Sequence, residues 1–138
     1  MATVSLLNYD EAPEEVQKVF DEIKAARDIP DVNNFWKALA HDPVTLRRVW
    51  NSLSQVMKPG ALDPLTKEML YIAVSIANNC EYCIHSHTAA ARAKGMTETQ
   101  YAELLAVVSM ASQTNALVTG MKVPVDEDFL VAPDTAGP

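Results

Sequence analysis

Basic residues are scarce in this chain. Eleven lysines and arginines stand against 18 aspartates and glutamates, a formal net charge of −7. Nucleic acid needs a basic face to meet its phosphates, so it is not an expected partner, and docking on an anionic membrane is disfavoured for the same reason. Long apolar runs are missing as well: none approaches the roughly 20 residues of a membrane-spanning helix. Residues Met1 to Asp10 lack a basic region and a long apolar core, so no secretory leader is read there, and the expected location is cytoplasmic. Glycine is thin at four residues, and the eight prolines fall between apolar runs. That punctuation suits helices with defined ends. No convincing strand pair and no internal repeat is present, and the expected class is all-α. A chain of 138 residues, 49% of them apolar, fits one domain (1–138) with a real core.

Cysteine is the most telling scarcity. There are two, Cys80 and Cys83, three residues apart. In a reducing compartment this spacing is seldom a structural disulfide, because a bridge closing so small a loop constrains the unfolded chain little. Redox or metal chemistry is the expectation.

The helical pattern runs as follows. Met1 to Tyr9 reads as an arm lying on the domain or on a neighbouring subunit. A first helix opens at Pro13-Glu14-Glu15 and carries the stripe Val16, Val19, Phe20 and Ile23, closing by Pro30. A short helix carries Phe35, Trp36 and Leu39. Asp42-Pro43 and Asp63-Pro64 are start signals, aspartate as N-cap and proline at the first helical position. Leu46, Val49, Trp50, Leu53 and Met57 follow the first of these, and Leu65, Met69, Ile72 and Ile76 the second. Glu68 lies inside that second stripe, where a carboxylate is costly without a partner. Asn79 is read as the N-cap of a helix from Cys80 to Lys94, stopped by Gly95. Thr97 and Gln100 form a capping box for the last long helix, with Met96 and Tyr101 as a hydrophobic staple. That helix is apolar on more than one face, so a second copy of the chain is the expected cover. Residues 122–138 read as an extended tail.

The segment Asn79-Cys80-Glu81-Tyr82-Cys83-Ile84-His85-Ser86-His87 organises the rest. On a helix, Cys80, Cys83 and His87 share a stripe at i, i+3 and i+7. Three readings are open. In the first, the pair is a redox dithiol. The helix start and His87 favour a thiolate at Cys80 or Cys83, and Glu68 orients His87 if the two helices pack face to face. One thiolate attacks a peroxide and becomes a sulfenic acid, and the other thiol condenses on it to give a Cys80–Cys83 disulfide. In the second, Cys80, Cys83, His87 and Glu68 hold zinc. Structural zinc sites take a second ligand pair from a separate segment, and only one pair is present here. In the third, the cysteines are small core residues and His87 is a satisfied one. Haem attachment is excluded by Ile84 after the second cysteine, and a thioredoxin-like motif by the helical run before the first.

Glu68, eleven residues, Cys80-x-x-Cys83, three residues, His87, then Gly95 resembles the alkylhydroperoxidase AhpD / carboxymuconolactone decarboxylase family, most clearly over about 42–112. The resemblance implies an AhpD-like helical bundle assembled as a homo-oligomer, a trimer or hexamer. It also implies peroxidase activity that takes electrons from a thiol reductant or reductase protein, with no cofactor beyond the redox-active disulfide. Carried over by position, Cys83 matches the cysteine that attacks peroxide, Cys80 the resolving cysteine, and His87 with Glu68 the proton relay. Where the best-studied members carry histidine two residues after the first cysteine, this chain has Tyr82. The decarboxylase branch generally lacks the paired cysteines, which ranks that chemistry lower. A protein disulfide reductase using the same pair is the alternative enzyme, and a zinc-binding or purely structural helical protein the alternative outside enzymes. His85 is expected at the surface or an interface, His41 in solvent, Trp36 and Trp50 in the core, and Lys67 and Arg92 as exposed charges.

Overall fold

The structure is a computed structural model that describes residues 1–130; the remainder of the expected tail, residues 131–138, lies outside the described residues. Six α-helices account for most of it: α1 (Glu14–Arg27), α2 (Asn34–Leu39), α3 (Pro43–Met57), α4 (Pro64–Ala77), α5 (Glu81–Ala93) and α6 (Glu98–Met121). There is no strand among the described residues, in keeping with the all-α expectation. Short 3-10 turns lie at Tyr9–Glu11 and Glu127–Phe129, the second inside the stretch expected to be extended.

The helix starts follow from local chemistry. Asp42 accepts the backbone N–H of Thr45 at 3.1 Å and Asp63 that of Thr66 at 2.9 Å. A proline follows each aspartate at the first helical position, where a missing N–H costs nothing. Thr97 and Gln100 close the capping box of α6. One expected cap is displaced. Asn79 is not the N-cap of α5; it sits in the left-handed region at φ 54°, and Cys80 is the cap. Asparagine tolerates that conformation better than most residues, so it serves the tight turn out of α4. The cap position passes to the next residue, which is a sulfur.

Two compact units result, Met1–Gly60 and one that opens at Ala61. In the first, α1 and α2 pack on α3. Val16, Val19, Phe20, Ile23, Trp36, Leu46 and Trp50 are buried there, with the ring of Trp36 edge-on to Trp50 at 5.6 Å. Both tryptophans are therefore core residues. The opening arm lies on this same unit: Leu7 and Tyr9 pack against the core, and the Leu7 N–H donates to the Lys37 carbonyl at 3.2 Å. In the second unit α4 pairs with α5 and with α6. Ile72, Ala91, Met96 and Leu104 form its buried centre, flanked by Leu65, Met69, Ile76, Tyr101 and Val108. Met96 and Tyr101, the expected staple, both belong to this cluster.

The long helix α6 buries little. Leu104 is its one buried residue, while Val107, Met110, Leu117, Val118 and Met121 are exposed. By length and composition alone α6 could cross a membrane, with a mean hydropathy of 1.3 and 6% of that window buried. The sequence reading found no run of this kind because the apolar residues are dispersed among alanine, serine and threonine instead of standing together.

Candidate dithiol site

The site is carried by α4, the turn after it, and α5. Glu68 lies on the apolar stripe of α4 beside Ile72 and is 6% exposed. The chain reverses at Asn78 and Asn79, where the Cys80 N–H donates to the Ser75 carbonyl at 2.9 Å. α5 then runs back along α4 and brings His87 to Glu68.

Cys80 and Cys83 are free thiols, both half-buried. The Cys83 N–H donates to the Cys80 sulfur at 3.4 Å. An N-cap acceptor at a helix N-terminus is stabilised as an anion, so the helix end serves Cys80. Cys83 feels the opposite push: its thiol is raised to about 11, by its hydrogen bond to Cys80 first, then by burial and by charge on Cys80. The sequence offers either cysteine as the thiolate; one N–H at the start of α5, that of Cys83, points at the Cys80 sulfur, and the Cys83 thiol is the one pushed up.

Both oxygens of Glu68 are engaged. His87 Nδ1 lies 2.7 Å from Oε2, and the Lys94 ammonium donates to Oε1 at 3.2 Å. Burial alone pushes the carboxyl upward and is the largest single influence on it. The hydrogen bonds and charges of His87 and Lys94 together outweigh it and hold Glu68 below its ordinary 4.5. An ionised carboxylate can only accept, so Nδ1 carries the proton of the neutral imidazole and Nε2 is left as the basic nitrogen. The imidazole lies flat on the ring of Tyr71, 3.6 Å between centroids and 19° between planes. Tyr71 is raised above 10.0, by burial first and then by charge at Cys83, Cys80 and Glu68, which ties its phenol to the same cluster.

The structure thus brings Glu68 and His87 together, with Cys80 and Cys83 as a close pair one turn before His87. His85 is exposed, as expected, on another side of α5. His41 is exposed and lies 2.7 Å from the Ser5 carbonyl. Arg92 is exposed and pairs with Glu98 at 3.0 Å, while Lys67 is half-buried instead of exposed. Tyr82 is 46% exposed. Among the described residues no three His, Cys, Asp or Glu side chains converge as metal ligands. An ammonium already occupies the Glu68 oxygen that faces away from His87.

Two members of the cluster were missed from sequence, Tyr71 and Lys94. Tyr71 is three residues after Glu68, and Lys94 is seven after His87, so both fall on the stripes that carry those residues. That spacing was the available signal. Thr88, the neighbour of His87, is 7% exposed, and its hydroxyl oxygen is buried without a hydrogen-bond partner among the described residues. Thr88→Val keeps the shape and removes the unsatisfied hydroxyl. It is expected to stabilise the protein by about 1 kcal/mol, read as a higher Tm. A lower Tm would mean that the hydroxyl is satisfied in solution.

Comparison with known proteins agrees with this fold. The crystal structure of an alkylhydroperoxidase AhpD core from Rhodospirillum rubrum matches with a TM-score of 0.92 at 59% identity, covering 96% of this chain and 99% of that one. A Paracoccus denitrificans protein described as uncharacterized protein 4 in the cox locus is 37% identical over 54 residues, 39% of this chain. The matched stretch spans 49% of that relative, about half its length. The model of the carboxymuconolactone decarboxylase family matches residues 43–126, from the start of α3 past the end of α6. Since that match takes in more than half of its residues, the chain belongs to the carboxymuconolactone decarboxylase family.

Proposed function

We propose that the protein is a thiol-dependent peroxidase that reduces alkyl hydroperoxides or hydrogen peroxide through the Cys80–Cys83 pair. The observation that carries this reading is the 2.7 Å contact of His87 with Glu68, one helical turn along α5 from Cys83. The likeness to an AhpD core supports it.

In this reading His87 Nε2 takes the proton of Cys83, whose thiol at about 11 is otherwise silent near neutral pH. The Cys83 thiolate attacks the peroxide. The O–O bond breaks, the leaving alkoxide takes a proton and departs as alcohol, and Cys83 becomes a sulfenic acid. Cys80 then attacks that sulfur, an S–S bond forms, and the hydroxyl leaves as water. Two thiols of a reductant restore the pair and are themselves oxidised to a disulfide. Glu68 holds the imidazole tautomer and stabilises the imidazolium. The reading includes a cytoplasmic location and a homo-oligomer, a trimer or hexamer, covering the exposed apolar residues of α6.

One observation favours a second reading. Cys80 is the N-cap of α5 and its sulfur accepts the Cys83 N–H, the position expected of a cysteine that opens exchange with a protein disulfide. Cys80 would attack the partner's disulfide to form a mixed disulfide, and Cys83 would then attack Cys80 and release the partner as a dithiol.

A thiol count separates the two. One equivalent of cumene hydroperoxide added to reduced protein is expected to consume both thiols within the mixing time of a bench experiment, with one equivalent of alcohol formed. Thiols that survive peroxide but are lost to a protein disulfide would replace the first reading by the second.

A further inference from the structure

We propose that Lys94 is a positioning residue that sets, through Glu68, how readily His87 accepts a proton. The proposal rests on the reading of His87 as the base for Cys83. Its geometry is independent of that reading. Glu68 is 6% exposed and has two oxygens, one facing His87 Nδ1 at 2.7 Å and the other accepting from Lys94 Nζ at 3.2 Å. The backbone fixes where Lys94 begins. It is the C-cap of α5, its N–H donates to the carbonyl of Ala90 at 3.1 Å, and Gly95 follows at φ 97°. That φ favours glycine, so the helix stops at a defined point and the lysine stem starts from it.

A buried carboxylate with histidine as its sole partner draws the second proton onto the ring, because an imidazolium neutralises it. An ammonium on the other oxygen supplies that neutralisation first. It also repels a positive imidazole. Both effects act in one direction, against a second proton on the His87 ring, and so leave Nε2 available as a base. The other titratable groups around the pair are Tyr71 from α4, under the imidazole, and Cys80 and Cys83 at the start of α5. Glu98, at the start of α6, pairs with Arg92 at 3.0 Å. Among the described residues the ion pairs of Glu68 are those with His87 and Lys94.

The test uses the full chain with Lys94→Met, which removes the charge and keeps the stem, and Lys94→Arg, which keeps the charge. The His87 imidazole is titrated by NMR, and Cys83 oxidation by cumene hydroperoxide is followed across pH. In Lys94→Met the His87 titration is expected to move up by about 0.5–1 pH unit, and the acid limb of Cys83 oxidation to move with it. Alkaline rates should be unchanged, and Lys94→Arg should restore both curves. An unmoved His87 titration in folded Lys94→Met overturns the proposal. A moved titration combined with Cys83 oxidation that is indifferent to His87→Ala overturns the peroxidase reading instead and leaves the Lys94 coupling standing.

Discussion

Cys83→Ser is expected to lower peroxide consumption about a thousandfold or more, since a serine hydroxyl is a poor nucleophile toward the O–O bond and the remaining thiol, Cys80, does not have His87 one turn on to take its proton. Cys80→Ser should behave differently. Its first turnover should form a sulfenic acid on Cys83, trapped by dimedone and located by mass spectrometry, and then stall because nothing resolves it. The first step in this variant should be no slower than in the wild type. The hydrogen bond to Cys80 is the leading cause of the raised Cys83 thiol at about 11, and charge on Cys80 adds to it. A neutral serine hydroxyl removes that charge, so Cys83 becomes more acidic and is alkylated faster at pH 8 than in the wild type. If sulfenic acid instead formed on Cys80 in Cys83→Ser and never on Cys83, the two roles would be exchanged.

The second large effect is expected from Glu68→Gln, a change of one atom type in a buried side chain. Lysine can only donate, so Lys94 takes the amide oxygen and turns the NH2 toward His87. The imidazole must then accept at Nδ1, and its proton moves to Nε2, the nitrogen needed to take the Cys83 proton. Peroxide turnover is expected to fall about 100-fold or more, in the range that general-base catalysis contributes. 15N shifts of the imidazole report the exchanged tautomer. The Nδ1-protonated form persisting in Glu68→Gln would remove this explanation.

The same variant carries a stability signature. Glu68 titrates below its ordinary 4.5 in the folded chain. Its contribution to stability is therefore complete above that value and drains away as the pH falls through the lower folded value. Glu68→Gln lacks the contribution, so it should be about 1–3 kcal/mol less stable than the wild type at pH 7. The two should converge in acid, where the wild-type carboxylate is protonated. Urea melts taken stepwise from pH 7 down through the acid range read the difference, and a gap that stays constant down to acid unfolding would count against an ionised, paired Glu68.

Much of the fold was legible because it is local. Asp42 and Asp63 cap from within three residues of their partners, and the stripes of α1 and α4 are periodic within single helices. The arm, by contrast, had two possible resting places in the sequence, and only packing chose the first unit. Asn79 and Cys80 compete for one cap, and the winner depends on the angle at which α4 hands the chain to α5, a property of two helices together. The apolar breadth of α6 was legible, and its exposure follows from packing mainly on α4 among the described residues.

The order of residues by itself determined six helix ends, one carboxylate stranded on an apolar stripe, and two sulfurs and an imidazole along one side of a helix. These are short-range facts, encoded in caps and in a 3.6-residue period. The tertiary structure alone decided which atoms meet: Nδ1 of His87 on one oxygen of Glu68, the ammonium of Lys94 on the other, the ring of Tyr71 beneath the imidazole, and the Cys83 N–H on the Cys80 sulfur. Each of those contacts depends on how far α5 is rotated and slid against α4. That setting comes from the close packing of Ile72, Ala91 and their neighbours, which no pattern within a single helix specifies.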